Sequence, residues 1–193
     1  AQMMINFASQ WDKSHVIWDP FCGLWTTLIE AFHGWYTQLL WSDISADMVL
    51  STQKNIEKIT QWTQTFFEVF SHDAQKINEK EAPSKTALVT EGMLGKNFSS
   101  TTINHASVLQ ERRYLTELYR HFFESSFKNK NIQKIVCCMP FWNIGKETIY
   151  MPFFEDFSVP WKVDPLCRSG KRYLIHMRPG QYVGREILIL RRT

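Results

Sequence analysis

A chain of 193 residues with 44% hydrophobic and 21% charged side chains has the balance of one globular domain over 1–193. It is long enough to bury its own core and too apolar to be disordered, and no apolar run approaches the roughly 18 residues that cross a bilayer. The net charge of +3 is uneven, because residues 162–193 hold eight Lys or Arg against Asp164 and Glu186, a bias that suits either a nucleic-acid contact or a solvated surface.

Residues 3–10 place apolar side chains at helical spacing, and the opening AQMMINFASQ lacks the basic and apolar blocks of a secretion signal. A short apolar run, Val16-Ile17-Trp18, ends in Asp19-Pro20. The tight segment Phe21-Cys22-Gly23-Leu24-Trp25 follows, and a helix is predicted from Thr26 to about Trp35, with Leu28, Ile29 and Phe32 on one face and Gly34 ending it. Strand, turn, helix is the arrangement that places a ligand beside a helix N-terminus at the carboxyl edge of an open α/β sheet. Leu39-Leu40-Trp41 reads as the second strand, closing on Ser42-Asp43-Ile44. Asp43 lies 20 residues after Gly23, the spacing at which dinucleotide folds offer a carboxylate to ribose hydroxyls.

A long helix is predicted from Ala46 to about Phe67, with Ser45 as its N-cap. Val69-Phe70 leads a third strand into Ser71-His72-Asp73-Ala74, where Asp73 either caps a turn or faces a ligand. Lys76 to Ser84 reads as a surface loop, Thr86–Thr90 as the fourth strand, and Glu91-Gly92-Met93-Leu94-Gly95 as the loop after it. Asn104 to Phe127 is a helical stripe carrying Val108, Leu115, Leu118 and Phe122, with Glu111-Arg112-Arg113 on its solvated face. Ile132 to Met139 is a buried fifth strand ending at Pro140-Phe141, and 146–167 carries no clear pattern. Arg172–Met177 and Glu186–Leu190 read as an antiparallel final pair joined by the turn-rich 178–184. The cysteines (Cys22, Cys137, Cys138, Cys167) have no CxxC spacing, which points to reduced thiols in a cytoplasmic protein and away from zinc. The six histidines form no triad or metal pattern, and neither GxSxG nor GxxxxGK[ST] occurs.

The wording DPFCG..T.LIEA over 19–31 resembles the cofactor loop of S-adenosylmethionine (SAM) dependent methyltransferases, especially the THUMP-associated RNA N-methyltransferases, whose loop reads DPFCGSGT or DPFCGxGT. SDIS after the second strand and RPGQYVGREI near the C-terminus are similar to the same family, so the resemblance spans nearly the whole chain. It implies a Rossmann-like fold: a largely parallel seven-stranded sheet, helices on both faces and an antiparallel C-terminal hairpin. It implies SAM held by Asp19, Pro20, Cys22, Gly23, Asp43, Ile44, Asp73 and Ala74, with Asp43 on the ribose and Asp73 on the adenine. The loop after the fourth strand, normally Asn/Asp-Pro-Pro-aromatic, is Glu91-Gly92-Met93 here. Thr90 and Glu91 then take the catalytic positions, Glu91 orienting the target amine, and no aromatic ring stands in the motif; Phe98 is the nearest substitute. The implied reaction is methyl transfer to an exocyclic amino group of an RNA base, guanine in tRNA or rRNA, with RNA as partner. The family's N-terminal RNA-binding domain has no counterpart in the chain, which suggests a separate RNA-binding subunit or a longer parent. A fold-retaining relative without catalysis, binding RNA or a protein, is the alternative, and a DNA amino-methyltransferase is a weaker one. Trp11, Trp25 and Trp41 stand where the family pattern favours glycine, either through divergence or through codons that another genetic code reads as glycine.

Overall fold

The computed structural model describes residues 1–23, 26–60, 65–164 and 174–192. The expectations placed on Trp25, on Cys167, on the end of the long helix from Ala46 at 61–64 and on the start of the penultimate strand at 172–173 lie outside the described residues.

Four parallel strands form the centre: β1 (Val16–Asp19), β2 (Gln38–Asp43), β3 (Phe66–Ser71) and β4 (Thr86–Thr90). β5 (Ile132–Ile144) continues them in parallel, and β9 (Val183–Arg191) then runs antiparallel to β5. The main path is β3-β2-β1-β4-β5-β9-β7, with β7 (Lys162–Val163) at the edge; β6 (Glu147–Tyr150) pairs β5 and β8 (Ile175–His176) pairs β9. This is the largely parallel seven-stranded path with antiparallel C-terminal strands that the sequence implied.

Burial on both sides explains the composition of the central strands. β1 and β4 are buried at every position, as strands covered by helices must be. Val16, Trp18, Leu40, Leu88, Ile135 and Cys137 face a core completed by α4 (His105–Lys128). Ile17, Leu39, Trp41, Ala87, Val89, Val136 and Cys138 face a second core completed by α1 (Gln2–Ser9), α2 (Thr26–His33) and α3 (Ala46–Thr60). The period of two along each strand sends alternate side chains to opposite layers. α4 starts at a reciprocal cap: Asn104 Oδ1 accepts the Ser107 N–H at 2.9 Å and Ser107 Oγ accepts the Asn104 N–H at 3.1 Å.

Several boundaries differ from expectation. Phe66 and Phe67 belong to β3 and not to the preceding helix, because they pair with Gln38 and Leu39 of β2. The stretch after Asp73 is a 3-10 turn, Ala74–Glu79, not a plain surface loop: Ile77 and Ala82 are buried against α4. β5 runs through Pro140 to Ile144. The β4 ladder ends at Cys137 and the β6 pairing begins at Phe141, so Pro140 sits where one side of the strand is locally an edge, the setting that tolerates a residue with no N–H. Gly34 does not take the left-handed turn that ends α2; Trp35 does, at φ +64°. Glu111 is not on a solvated face. It is 5% exposed, its Oε1 accepts the Lys96 N–H at 3.2 Å, and Arg112 Nε donates to Tyr150 O at 2.7 Å. Part of the C-terminal basic bias is also structural: Arg192 donates to Ile132, Phe127 and Asn129 carbonyls and lies over the Phe127 ring.

Candidate functional site

The carboxyl ends of β3, β2, β1 and β4 are neighbours, and each is followed or finished by an acid: Asp73, Asp43, Asp19 and Glu91. The sheet order reverses between β1 and β4, which opens a crevice at that edge. Asp19-Pro20-Phe21-Cys22-Gly23 leaves β1 there. The loop is pinned from three sides. Asp19 Oδ1 accepts the Phe21 N–H at 3.1 Å, the Cys22 N–H donates to Ser42 O at 3.0 Å, and the Gly23 N–H donates to Asp43 Oδ2 at 3.0 Å. Gly23 has φ +47°, and among the described residues a Cβ there would meet only Phe21 O, at 4.0 Å.

Asp19 itself is buried. Its carboxyl takes hydrogen bonds from Thr90 and Thr27 as well as Phe21, and burial pushes its pKa up to about 6, the neighbouring Glu91 charge adding to the rise. Thr90, also fully buried, donates to Asp19 and accepts the Gly92 N–H at 2.9 Å. These two groups tie the ends of β1 and β4 together and reach the crevice through the backbone they hold. Pro20 is buried in the same turn. Cys22 points into the core beside Thr52 and Gly23 O, and burial raises its thiol to about 12, a neutral and unreactive group.

Asp43 is half-buried. Oδ1 accepts the Ser45 N–H at 2.9 Å, so each carboxylate oxygen already has one backbone donor. An ionised carboxylate has about four acceptor sites, which leaves about one per oxygen for a ligand hydroxyl. Ile44 beside it is 70% exposed, a bare apolar side chain next to a polar acceptor. Asp73 Oδ1 accepts the Gln75 N–H at 2.9 Å and caps the 3-10 turn, while Ala74 is buried. Asp73 lines a cleft of about 360 Å³ with Gln75, Lys76 and His121.

Glu91, about a third exposed, accepts from Arg185 Nε of β9 at 3.3 Å. The loop that follows is seated by Tyr119 of α4, whose hydroxyl lies 3.0 Å from Met93 O and 3.1 Å from Cys138 O. Gly92, at φ +66°, makes room for it: a Cβ there would stand 2.3 Å from the Tyr119 hydroxyl. Beyond it, Lys96, Asn97, Phe98, Gln181, Tyr182 and Arg185 line a cavity of about 250 Å³ between this loop and the start of β9. Tyr119 had no motif to mark it, and Arg185 lay within RPGQYVGREI without a role of its own.

No family model matches the chain, and no curated protein does. Solved structures do. TrmN from Thermus thermophilus superposes on 100% of this chain with a TM-score of 0.63 at 12% identity, over 48% of its own length. Magnesium protoporphyrin IX methyltransferase from Synechocystis, with SAM bound, gives 0.58 at 12% identity over 99% of this chain and 76% of its own. An rRNA methylase from Streptococcus thermophilus gives 0.58 at 6% identity over 99% and 96%. The chain has the Rossmann-like methyltransferase fold. It spans about half the length of TrmN. In this methyltransferase fold the acid row and the Gly23 loop occupy the crevice at the carboxyl edge of the sheet, beside the start of α2.

Proposed function

We propose that the chain is the catalytic domain of a SAM-dependent RNA methyltransferase, acting on an exocyclic amino group of a base, guanine in tRNA or rRNA. The observation that carries the reading is the row Asp73, Asp43, Asp19 and Glu91 around the Gly23 loop at the sheet crevice. Such a rim repels phosphates and favours a ligand with hydroxyls, amines and a cationic centre. SAM has all three and no phosphate, which supports it over a dinucleotide. The Gly23 backbone and the free acceptor capacity of Asp43 fit its ribose, Ile44 its adenine face, and Asp73 the adenine amino group. When bound, SAM supplies an activated methyl on a sulfonium.

The chain's own task is then to hold a nitrogen in line with that methyl. Glu91 accepts a hydrogen bond from the target amine, and Arg185 keeps its carboxylate oriented. The 250 Å³ cavity takes the extruded base, with Phe98 and Tyr182 as flanking rings and Asn97 and Gln181 as amide partners. The amine loses its proton after attack, so no strong general base is needed.

The pairing of Glu91 with Arg185, together with the missing aromatic of the catalytic motif, supports a second reading in which the fold is kept for RNA or protein binding without catalysis. Two measurements separate them: calorimetric titration with SAM, and transfer of labelled methyl to bulk tRNA and rRNA. SAM binding with methyl transfer supports the enzyme, SAM binding without transfer to any RNA supports the second reading, and no SAM binding by either the parent chain or Trp25→Gly refutes the enzyme and its cofactor residues.

A further inference from the structure

The described tryptophans fall into two physical groups. Trp18 and Trp161 are buried and donate their indole N–H to Ser42 Oγ and Phe123 O; Trp41 and Trp142 fill the core. Trp11 and Trp35 do the opposite. They are 67% and 83% exposed, and their backbones are left-handed, at φ +68° and +64°. Bulky side chains rarely adopt that conformation.

At Trp35 the backbone requires it. The Trp35 N–H donates to Phe32 O at 2.9 Å and the Tyr36 N–H donates to Ala31 O at 3.2 Å. Those two bonds close α2 in a Schellman motif, whose left-handed residue is the one helix position where glycine dominates. The indole at this position does little in exchange, since most of its surface is in solvent. Trp11 follows Gln10, itself left-handed at φ +50°, in the turn that closes α1. Lys13 lies over the Trp11 and Tyr36 rings, and the two exposed indoles border a cleft of about 290 Å³.

We propose that positions 35 and 11 are glycine in the polypeptide as its own host makes it, the tryptophans being UGA codons that the host reads as glycine. The inference rests on the two turn geometries and not on the proposed reaction. It takes both exposed indoles out of the cleft, leaving Gln2, Lys13 and His33 as its exposed side chains. It also explains why, among the described tryptophans, those with left-handed backbones are the ones whose side chains are the most exposed.

The host's gene tests it directly. TGA is expected at codons 11 and 35, and TGG at codons 18 and 161, whose indoles are hydrogen-bonded. TGG at 11 or at 35 overturns the proposal, and leaves the cleft as a surface that tryptophan was kept to build. A second test uses the recombinant chain and compares Trp35→Gly with Trp35→Ala. Both lose the same indole; only alanine keeps a Cβ on the left-handed backbone. The glycine variant is expected to favour the folded state about ten-fold more than the alanine variant. Equal stability overturns the conformational basis.

Discussion

Asp19→Asn tests how the crevice edge is held. Asp19 is 3% exposed, and its folded pKa stands at about 6 against an ordinary value of 3.8 for an unburied carboxyl. Between those two values the folded chain binds more protons than the unfolded chain, so stability falls as pH rises through the window. The difference of about two units corresponds to roughly 3 kcal/mol by the 1.36 kcal/mol that one unit represents. That cost is absent below about pH 4 and complete above about pH 6. Asparagine keeps an oxygen for the Phe21 N–H and adds an amide that can donate to the Thr90 or Thr27 hydroxyl, without the charge. The stability of Asp19→Asn relative to the parent is therefore expected to rise by about 3 kcal/mol between pH 4 and pH 7. Urea unfolding at half-unit pH steps reads this, and taking the difference between the two proteins cancels the other carboxylates. A difference that stays flat across the window refutes the burial argument.

Asp43→Ala removes a charged acceptor facing the proposed ribose and is expected to weaken SAM binding ten-fold or more, on the order of 1.5–3 kcal/mol; if it and Asp73→Ala both titrate with SAM like the parent, the cofactor residues are misassigned. Trp25→Gly returns backbone freedom to the loop position where the family pattern has glycine, and calorimetry should show tighter SAM binding than in the parent chain; unchanged affinity means this side chain is not the obstacle. Glu91→Gln and Glu91→Ala should both lower methyl transfer to RNA while leaving SAM affinity in place, and full activity in both would sink the role given to Glu91. Tyr119→Phe takes the donor from Met93 and Cys138 carbonyls and should cost about 1 kcal/mol, with faster amide exchange at 92–95 as the readout that distinguishes loop anchoring from packing alone.

Where the sequence spoke clearly, the signal was local. The turn at Asp19-Pro20, the apolar runs of β1, β2 and β4, and the apolar stripe of α4 each depend on neighbours a few residues away, so spacing alone announces them. The acids that end successive strands were legible for the same reason: a strand's carboxyl end can be read from where its apolar run stops. The spacing of Asp43 from Gly23 named a pair that the fold joins by a 3.0 Å hydrogen bond.

Only the tertiary structure decided what those acids touch. Asp19 could be placed at the crevice by sequence, but its burial beneath Thr90 and Thr27 depends on the β1–β4 pairing. Glu91 meets Arg185 across 94 residues of chain, and Glu111, read as solvated, is buried because the 95–96 backbone folds over it. β6 and β7 escaped notice because short strands of mixed aromatics and charges have no period of their own; they exist because β5 and β9 offer them an edge. The left-handed turn at Trp35 was likewise invisible, since the residue type argues against it and only the two hydrogen bonds that close α2 demand it. Periodicity and turn chemistry act over a few residues, whereas burial, ion pairing and hydrogen-bond allotment are set by segments that meet only after the sheet has formed.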